Sequence, residues 1–564
     1  MKKWQLFSQE KEKSSQFSSE LKISPLTAQV LINRGISNLK EADVFLRPKL
    51  LHLSDPFDIP QIDIAAKRTL LAKERNEKVL IYGDYDVDGV TGTVILVEAL
   101  RYLGINASFY IPSRYGEGYS INSEAVKKAK DDGINLIVTV DCGISNFDEI
   151  EYANSLGIDV VVTDHHNLPR TLPNAQALVN PKMIPENHPS KHLSGAGVAF
   201  KFAWALFRRA GIKENGFLTS LLDLVALGTV ADVVPLNQEN RILTVAGLKI
   251  LNEKKRLGIK HLAEIAGIKD KISVGHVNFA LAPRINAAGR IEHASLSVKL
   301  LLSKDQVEAK SLAQEINKIN LQRQGIGESI QKEVFLTIES QKDEKVIFAY
   351  GEGWHPGVIG IAASRVVDRF YRPTVLVGIN DGVGRGSARS IEGFNVFALL
   401  DTCRDLFVDF GGHEGAAGFE IDPKNLPELK ERLIKNVTIS DDLLCPKIQI
   451  DAELPLKQIT LGLIKELDTL DPHGRSNPAP LFITQNLALK DLRTVGSDGA
   501  HLKIKLADDK ITTEAIGFRM GKEFSNMQIN KKYNIAYNLE TNEWNGFESA
   551  QLNLVDIKES GGEL

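Results

Sequence analysis

The segment GDYDVDG carries Asp84, Asp86 and Asp88 at alternate positions and follows the apolar run KVLIY. Other residues with metal-binding side chains follow later apolar runs. They are Asp141 in VDCG, Asp164, His165 and His166 in VTDHH, and Asp232 in GTVADVVPL. Carboxylates gathered in one place repel one another unless a cation neutralises them, and aspartates with a few imidazoles suit Mn²⁺ or Mg²⁺ better than a thiolate-preferring metal. The pattern therefore predicts a divalent-metal site.

Each of these side chains alone has an ordinary structural explanation, because an aspartate after a strand is commonly a helix cap. Their repetition at several strand ends favours a shared metal site. Two divalent ions about 3.5–4 Å apart can hold a phosphate, activate a water and stabilise the leaving oxygen. The expected chemistry is phosphoester hydrolysis. The chain has no GxxxxGK[ST] segment, which argues against an ATP-driven motor.

The apolar runs that precede these residues alternate with helical patterns between Lys78 and Asp164. Such alternation predicts an α/β fold in which helices cover both faces of a parallel sheet. Ligands bind to such sheets beyond the carboxyl ends of the strands. Because GDYDVDG, VDCG and VTDHH all fall at those ends, we expect them to meet at one edge of the sheet.

A chain of 564 residues is too long for one hydrophobic core, so several domains are expected. Helical patterns dominate from about Ser194 to Gln341, and strand–helix alternation resumes at Lys345 in a second, smaller α/β domain. After Cys445, the runs IQIDAEL, LFITQNLALKDLRTVG, HLKIKLA, TTEAIGF and KYNIAYNLE predict short strands of a barrel of the oligonucleotide-binding (OB) type. The predicted divisions are an N-terminal arm (1–60), a catalytic domain (61–240), a helical connector (241–344), the second α/β domain (345–440) and an OB-like domain (441–564).

The net charge of −4 gives no overall basic surface, so a nucleic acid would need local basic clusters or bound cations. Residues 241–345 contain 18 Lys and Arg against 12 Asp and Glu. Three widely separated cysteines argue against a disulfide framework or a zinc ribbon. The segment MKKWQLFSQEKEKSS lacks the apolar stretch of a secretory signal, and no apolar run approaches the length of a membrane span. We therefore expect a cytoplasmic protein that does not enter a membrane.

The motifs GDYDVDG, VDCG, VTDHH and GTVADVVPL resemble, in residue type, order and spacing, the four successive motifs of the DHH phosphoesterase superfamily. RINAAGR, GRGSARS and GGHEGAAGF resemble later motifs of its RecJ exonuclease branch, and the resemblance covers nearly the whole chain. It implies a DHH catalytic domain, a DHH-associated domain and an OB-like domain. It also implies hydrolysis of single-stranded DNA from the 5′ end to 5′-mononucleotides, in recombination and repair.

The resemblance implies a site that holds two Mn²⁺ or Mg²⁺ ions. The implied metal-site residues are Asp84, Asp86, Asp88, Asp141, His165 and Asp232, which count as catalytic together with His166. His166 would lie near the scissile phosphate. Which of the three aspartates in GDYDVDG bind metal directly stays open. Asp164 could join the ligands or could orient His165 from behind, as carboxylates often do for ligating imidazoles.

The resemblance also implies residues that hold the DNA. Those of the second α/β domain are Arg385, Ser387, Arg389, Gly411, Gly412 and His413, where guanidinium groups and exposed glycine amides suit phosphate. Arg114 resembles a 5′-phosphate contact, and Tyr115 or Tyr119 could stack on a base. Arg284 and Arg290 of PRINAAGR resemble further DNA contacts. The segment DPHGRSNPAP departs from the family pattern, because His473 and Ser476 replace the usual Phe and Gly.

Two other functions stay open. One is a superfamily enzyme for small substrates, such as a nanoRNA or cyclic-dinucleotide phosphodiesterase or a pyrophosphatase; the connector and the C-terminal domain favour a polymer instead. The other is a DNA-binding scaffold without activity, which would be expected to lack carboxylates, whereas here the set is complete. The family further implies a monomer with single-stranded-DNA-binding protein and a helicase as partners.

Overall fold

The computed structural model of the chain describes residues 2–113, 120–213, 216–338, 341, 344–544 and 546–561. It begins with strand β1 (Lys3–Leu6) and helices α1 (Lys11–Leu21), α2 (Pro25–Asn33) and α3 (Leu39–Leu46). These elements do not form a separate arm. Phe17, Leu31 and Phe45 from the three helices are buried in the same core as the C-terminal barrel. The N-terminal segment is therefore part of the C-terminal unit.

The following region is built on a five-stranded sheet. Its elements are α4 (Ile62–Glu74), β2 (Lys78–Gly83), α5 (Val87–Tyr102), β3 (Asn106–Tyr110), α6 (Ser123–Asp131), β4 (Leu136–Val140), α7 (Phe147–Ser155), β5 (Asp159–Thr163), β6 (Ala177–Val179), α8 (Gly195–Arg209), α9 (Phe217–Ser220) and α10 (Leu222–Ala231). The strand order is β3-β2-β4-β5-β6, and every pair is parallel. The predicted parallel α/β sheet is confirmed.

The central strands β2, β4 and β5 of this sheet are mainly apolar because helices cover both faces. Successive side chains of a strand point to opposite faces. Val79 and Ile81 of β2 are buried in a core shared with α5 and α8, whereas Tyr82 is buried in a second core shared with α6 and α7. The sheet is thus held rigidly from both sides, and its carboxyl edge carries the acidic segments.

Helices connect this region to the next one. They are α11 (Gln238–Asn252), α12 (Leu257–Ile265), α13 (Val274–His276), a π-helical turn (Val277–Leu281), α14 (Ala282–Ile291), α15 (Ser295–Leu302) and α16 (Gln306–Ile338). Helix α16 has 33 residues and is therefore about 50 Å long. Helices α12, α14 and α15 all pack against it, so this long helix forms a rigid spacer between the two α/β regions.

The second α/β region carries a mixed sheet. Its elements are β7 (Ile347–Glu352), α17 (Pro356–Phe370), β8 (Thr374–Asn380), β9 (Val383–Arg389), α18 (Val396–Asp401), β10 (Phe407–His413), β11 (Ala416–Ile421) and α19 (Leu426–Asn436). The strand order is β10-β11-β9-β8-β7; only β7 and β8 are parallel. Helix α16 packs on α17 and β7. The smaller α/β domain is confirmed.

The C-terminal region is a barrel with short flanking elements. They are β12 (Lys447–Ile450), β13 (Ala452–Glu453), α20 (Leu461–Leu467), β14 (Phe482–Val495), β15 (His501–Ala507), β16 (Thr512–Gly517), β17 (Lys532–Trp544) and β18 (Phe547–Glu559). The order β14-β15-β16-β18-β17 closes through the β14–β17 pair, which confirms the OB-like barrel. Strand β1 pairs in parallel with β12. Within the described residues, no helix is both long and apolar enough to cross a membrane.

Candidate active site

The first loop of the site joins β2 to α5. Asp86 is the N-cap of α5, and its Oδ1 accepts the amides of Asp88 and Gly89 at 2.9 and 3.0 Å. Asp88 points the other way, into the N-terminus of α8, where its two oxygens accept the amides of Gly195 and Ala196. These two aspartates of the loop are therefore held in place by backbone amides.

The second loop follows β4 and carries Asp141 in a strained conformation. Its φ is +63°, a value that residues other than glycine adopt uncommonly and that tends to occur at functional sites. Glycine at the first position of α8 makes room for its side chain, because a Cβ on Gly195 would lie 2.8 Å from Asp141 Oδ1. The backbone of this loop is thus shaped to direct one carboxylate into the site.

The third loop, after β5, brings both histidines to the aspartates. Nε2 of His165 lies 3.0 Å from Asp141 Oδ1, 3.6 Å from Asp232 Oδ2 and 3.9 Å from Asp88 Oδ2. Asp232 directly follows α10, so its position is set by a helix that comes after all five strands of the sheet in the sequence. Three other segments of the chain therefore converge on the His165 ring.

Asp164 holds this third loop from within. Its Oδ1 accepts the amides of His165 and His166 and lies 2.7 Å from His166 Nδ1, while its Oδ2 accepts the amide of Ile144. The ring that Asp164 contacts is that of His166, and its contact with His165 is to the backbone. Asp164 therefore orients the ring of His166, whereas support for His165 was one of the two roles expected.

The carboxylates of the site differ in their pKa values for reasons of burial and charge. Burial and the neighbouring carboxylates raise the pKa of Asp141 well above its ordinary value. Burial and the charge of Asp88 raise the pKa of Asp232 to about 8. Burial would also raise the pKa of Asp164, but its hydrogen bond to His166 and the charges of both histidines outweigh it, so that pKa is lowered. The site thus gathers more carboxyl groups than can all stay charged without a cation.

Two buried oxygens of this cluster accept no hydrogen bond from the described residues. They are Asp141 Oδ1 and Asp232 Oδ2; although His165 Nε2 lies 3.0 Å from the first, no hydrogen bond of acceptable geometry forms. An unsatisfied buried carboxylate oxygen is costly unless a cation meets it. Three groups of side chains bring one potential ligand atom each to within 4.8 Å of one another: Asp84, Asp86 and Asp141; Asp88, His165 and Asp232; and Asp141, His165 and His166. These oxygen and imidazole donors fit Mn²⁺ or Mg²⁺.

A cleft of about 440 Å³ opens over this cluster. Its lining comes from both α/β regions and from the connector: Asp84, Tyr85, Asp86, Asp141, His166, Asp232, Asn286, Arg290, Arg389 and His413. Tyr85 and Asn286 are additions to the predicted set. Asn286 Oδ1 accepts the amide of Val87, so α14 supports the first acidic loop directly. The cleft has a carboxylate half and a basic half.

The basic half is centred on Arg389 at the end of β9. Its Nη1 donates to Ser387 Oγ at 3.0 Å and to the carbonyl of Ala388 at 2.7 Å. Gly360 of α17 leaves space for the guanidinium, because a Cβ there would lie 2.7 Å from Arg389 Nη2. His413, at the end of β10, completes this side of the cleft. The Arg389 head group is thus oriented by its own strand.

Other predicted DNA-binding residues lie outside the cleft. Arg385 is exposed on β9 and pairs with Glu420 at 3.4 Å. Gly411 and Gly412 lie exposed on β10, and Gly412 has φ of +147°. Arg284 donates to Asn317 and to the carbonyl of Ala280 on the connector.

Arg290 joins the two halves of the cleft. It lines the cleft from α14, and its Nη1 donates to the carbonyl of Gly357 at the start of α17. Arg114, Tyr115 and Tyr119 lie outside the described residues, so their predicted roles stay predictions.

Comparison with known families agrees with this arrangement. Residues 78–229 match the DHH family, N-terminal domain; residues 343–438 match the DHHA1 domain; and residues 450–556 match the RecJ OB domain. The three matches fall on the parallel sheet, the mixed sheet and the barrel. Asp232, which meets His165 in the structure, lies three residues beyond the first match.

Several curated relatives match along nearly the whole chain. The single-stranded-DNA-specific exonuclease RecJ of Bacillus subtilis (strain 168) is 38% identical over the whole chain and 71% of its own length. That of Escherichia coli (strain K12) is 34% identical over 98% of this chain and 99% of its own. The crystal structure of RecJ in complex with Mn²⁺ from Thermus thermophilus has a TM-score of 0.86 and 30% identity, covering 99% of this chain and 80% of that one. The chain therefore belongs to the RecJ family of DHH proteins.

Proposed function

We propose that this protein is a metal-dependent exonuclease that degrades single-stranded DNA from the 5′ end and releases 5′-mononucleotides. The observation that carries the proposal is the cleft itself. Buried carboxylates with unsatisfied oxygens face Arg389 and His413 across a space of about 440 Å³. One half suits divalent cations and the other suits phosphate. A terminal nucleotide can therefore be held at its phosphate while the next phosphodiester lies over the carboxylates.

Mn²⁺ or Mg²⁺ is the proposed cofactor, with two ions held by the set Asp84, Asp86, Asp88, Asp141, His165 and Asp232. Thermus thermophilus RecJ has been crystallised with each of these metals. When bound, such ions supply positive charge that lowers the pKa of a water nucleophile and offsets charge on the phosphate. Asp88 is less free than the other residues to turn towards a metal ion, because both of its oxygens already accept amide hydrogen bonds from α8.

In the proposed reaction, water attacks the phosphorus that links the first two nucleotides, and the bond from phosphorus to the 3′-oxygen of the first nucleotide breaks. Arg389 binds the 5′-phosphate of that first nucleotide, and Ser387 holds the guanidinium in place. His166, with Nδ1 against Asp164 and its ring at the cleft, is available to give a proton to the departing 3′-oxygen. The products are a 5′-mononucleotide and a strand shortened by one residue.

Guanidinium groups of the connector and of α17 support a polymeric substrate over a small one. The charges of Arg284 on α14 and Arg365 on α17 both act on Arg323 of α16. Burial, and then the charges of Arg365 and Arg284, lower the pKa of Arg323. Its buried Nε has no hydrogen-bond partner among the described residues. Cations gathered in this way attract the phosphates of a strand.

The decisive test is digestion of an internally labelled single-stranded oligonucleotide, blocked in turn at its 5′ or 3′ end, with Mn²⁺ or with EDTA. We expect Mn²⁺-dependent conversion to mononucleotides that only the 5′ block stops. Rapid hydrolysis of dinucleotides with no loss of the long strand would instead establish a small-substrate phosphodiesterase. Binding without hydrolysis in every divalent metal would establish a scaffold.

The wider biological setting follows from the same proposal. A 5′-end exonuclease for single strands acts in recombination and repair, where its substrates are exposed by a helicase and covered by single-stranded-DNA-binding protein. We propose both proteins as partners, a cytoplasmic location and a monomeric state. Sedimentation of the purified protein, alone and with each partner, tests the monomeric state and the two associations.

A further inference from the structure

The segment just before the barrel returns to the edge of the metal centre. The carbonyl of Arg475 accepts the amide of Leu236 at 2.8 Å, and Leu236 lies four residues after Asp232. Gly474 packs directly on Leu236, because a Cβ there would lie 2.6 Å from Leu236 Cδ1. A residue that comes late in the chain, Arg475, is thereby brought to the segment that carries one of the metal-site carboxylates.

A buried arginine holds the segment before the barrel in this position. Arg241 of α11 is 1% exposed and donates to carbonyls from two distant segments, those of Phe45, Thr469, Leu470 and Asp471. Asn477, also buried, donates to the carbonyls of Leu470 and Pro472. Arg475 therefore lies on a loop of defined conformation, even though its own side chain is exposed.

A second cation lies at the same edge. Lys182 follows β6, two residues after Asn180, whose side chain donates to the carbonyl of His166. Nearby, Glu186 pairs with Lys191 and His192, at 3.5 Å in each case. Among the described residues, by contrast, neither the Lys182 ammonium nor the Arg475 guanidinium has a hydrogen-bond or ion-pair partner. The two unpaired cations are thus left to meet an anion from outside.

The two cations and the metal centre share one electrostatic environment. Burial, followed by the charges of Lys191 and Arg475, lowers the pKa of Lys182, while the negative charges of Glu186 and Asp232 oppose that shift. Burial raises the pKa of Asp232, and the charge of Arg475 opposes that rise. The hydrogen bonds from Asn180 to His166 and from Leu236 to Arg475 place both cations on segments that adjoin the loops of His166 and Asp232.

We propose that Arg475 and Lys182 form a phosphate-binding subsite beside the metal centre, occupied by a backbone phosphate of single-stranded DNA next to the scissile one. The proposal rests on the proposed exonuclease function and adds a specific contact to it. A guanidinium and an ammonium attract a phosphodiester through charge, without reading the base. The subsite would fix the retained strand against slipping while the terminal bond is hydrolysed.

The test compares Arg475→Gln, Lys182→Gln and the double variant of the full-length protein. Arg209→Gln serves as the control, because Arg209 is an arginine at the far end of α8, about 20 Å from the end that meets Asp88. Binding of an oligothymidylate of about 20 nucleotides is measured by anisotropy, with Ca²⁺ in place of Mn²⁺, over a range of salt. Hydrolysis of the same strand and of the dinucleotide pdTpdT is then measured with Mn²⁺.

We expect each single variant to bind the long strand about 3–10-fold more weakly, and the slope of log affinity against log salt to fall by about 0.7 for each phosphate that is no longer neutralised. Arg475→Lys should recover most of the affinity. The fall in hydrolysis should be several-fold larger for the long strand than for pdTpdT, which has no phosphate on the 3′ side of the scissile one.

Effects no larger than that of Arg209→Gln, or equal effects on both substrates, would overturn the subsite. If the wild-type protein binds the strand but hydrolyses neither substrate, the exonuclease function fails, and the binding series still decides the subsite.

Discussion

The two halves of the cleft are built in opposite ways. On the parallel-sheet side, Asp84, Asp88, Asp141 and Asp164 are each at most 3% exposed, and backbone amides hold Asp88 and Asp164 in place. On the mixed-sheet side, Arg389 is half-buried, and His413 is exposed at a strand end. Groups that must stay fixed relative to a reacting bond need rigid, water-poor surroundings. Groups that hold a strand which advances after each cut need access to solvent.

The largest effect is expected from the buried half. Asp141→Asn keeps the shape of the side chain but removes its charge, so an unsatisfied oxygen no longer attracts a cation. We expect hydrolysis of single-stranded DNA to fall by about a thousandfold or more, since ligand charge supplies several kcal/mol of transition-state stabilisation. Turnover at saturating Mn²⁺ measures it. A variant with wild-type turnover would show that Asp141 is not part of the reaction centre.

In the exposed half, the expected effect is smaller and depends on the position along β9. Arg389→Gln should lower kcat/KM about 10–100-fold, because the variant can no longer bind and orient the terminal phosphate. Arg385→Gln, the same change on the same strand, should cost less, since Arg385 is exposed and pairs with Glu420 outside the cleft. Steady-state kinetics on a 5′-phosphorylated strand compare them. Equal reductions would mean that the whole of β9, and not its end, holds the substrate.

Protons and metal ions should compete in the buried half. With Asp232 at a pKa of about 8 in the metal-free protein, each pH unit below 8 should weaken Mn²⁺ binding about tenfold for one displaced proton. A carboxyl whose pKa is raised by folding contributes stability at low pH that is lost as pH rises towards that value. The metal-free protein should therefore lose stability from pH 5 to pH 8, while the gain in Tm from Mn²⁺ should grow. Calorimetry at several pH values tests both trends, and a pH-independent Mn²⁺ affinity would contradict them.

The smallest effect is expected at the link between the halves. Arg290→Gln removes the hydrogen bond from α14 to the carbonyl of Gly357. The long helix α16 still packs on both regions, and water can replace most of the lost hydrogen bond, so we expect only a few-fold rise in KM. An effect as large as that of Arg389→Gln would mean that Arg290 itself binds the substrate.

The parallel sheet and its metal site could be predicted because their signals are local. Each acidic segment directly follows a short apolar strand, and the rule for parallel sheets then brings those segments to one edge. What the sequence could not reveal were the supports that come from afar. The amides that hold Asp88 belong to residues 107 and 108 positions later in the chain, and no periodicity indicates such a pairing.

Other misses have different physical causes. Strand β18 is absent from the predicted strands although QLNLVDI alternates apolar and polar residues, so its signal was present. Tyr85 and Asn286 lie within recognised motifs, but neither side chain suggests a role without the cleft around it. The return of Arg475 to the metal centre depends on Arg241, a charged residue that is fully buried, and burial of a charge cannot be inferred from a helical pattern.

The pairing of β1 with β12 affects how the chain can fold while the ribosome synthesises it. Gln5 and Gln449 bond to each other across 444 positions of the chain. At about 5–20 residues per second, 444 residues take on the order of 20–90 s, and helices α1–α3 wait at least that long for the barrel they cover. During that time the apolar faces around Phe17 and Phe45 have no native partner. Helices α1–α3 are therefore made long before they can be folded, and a chaperone has that time to bind them.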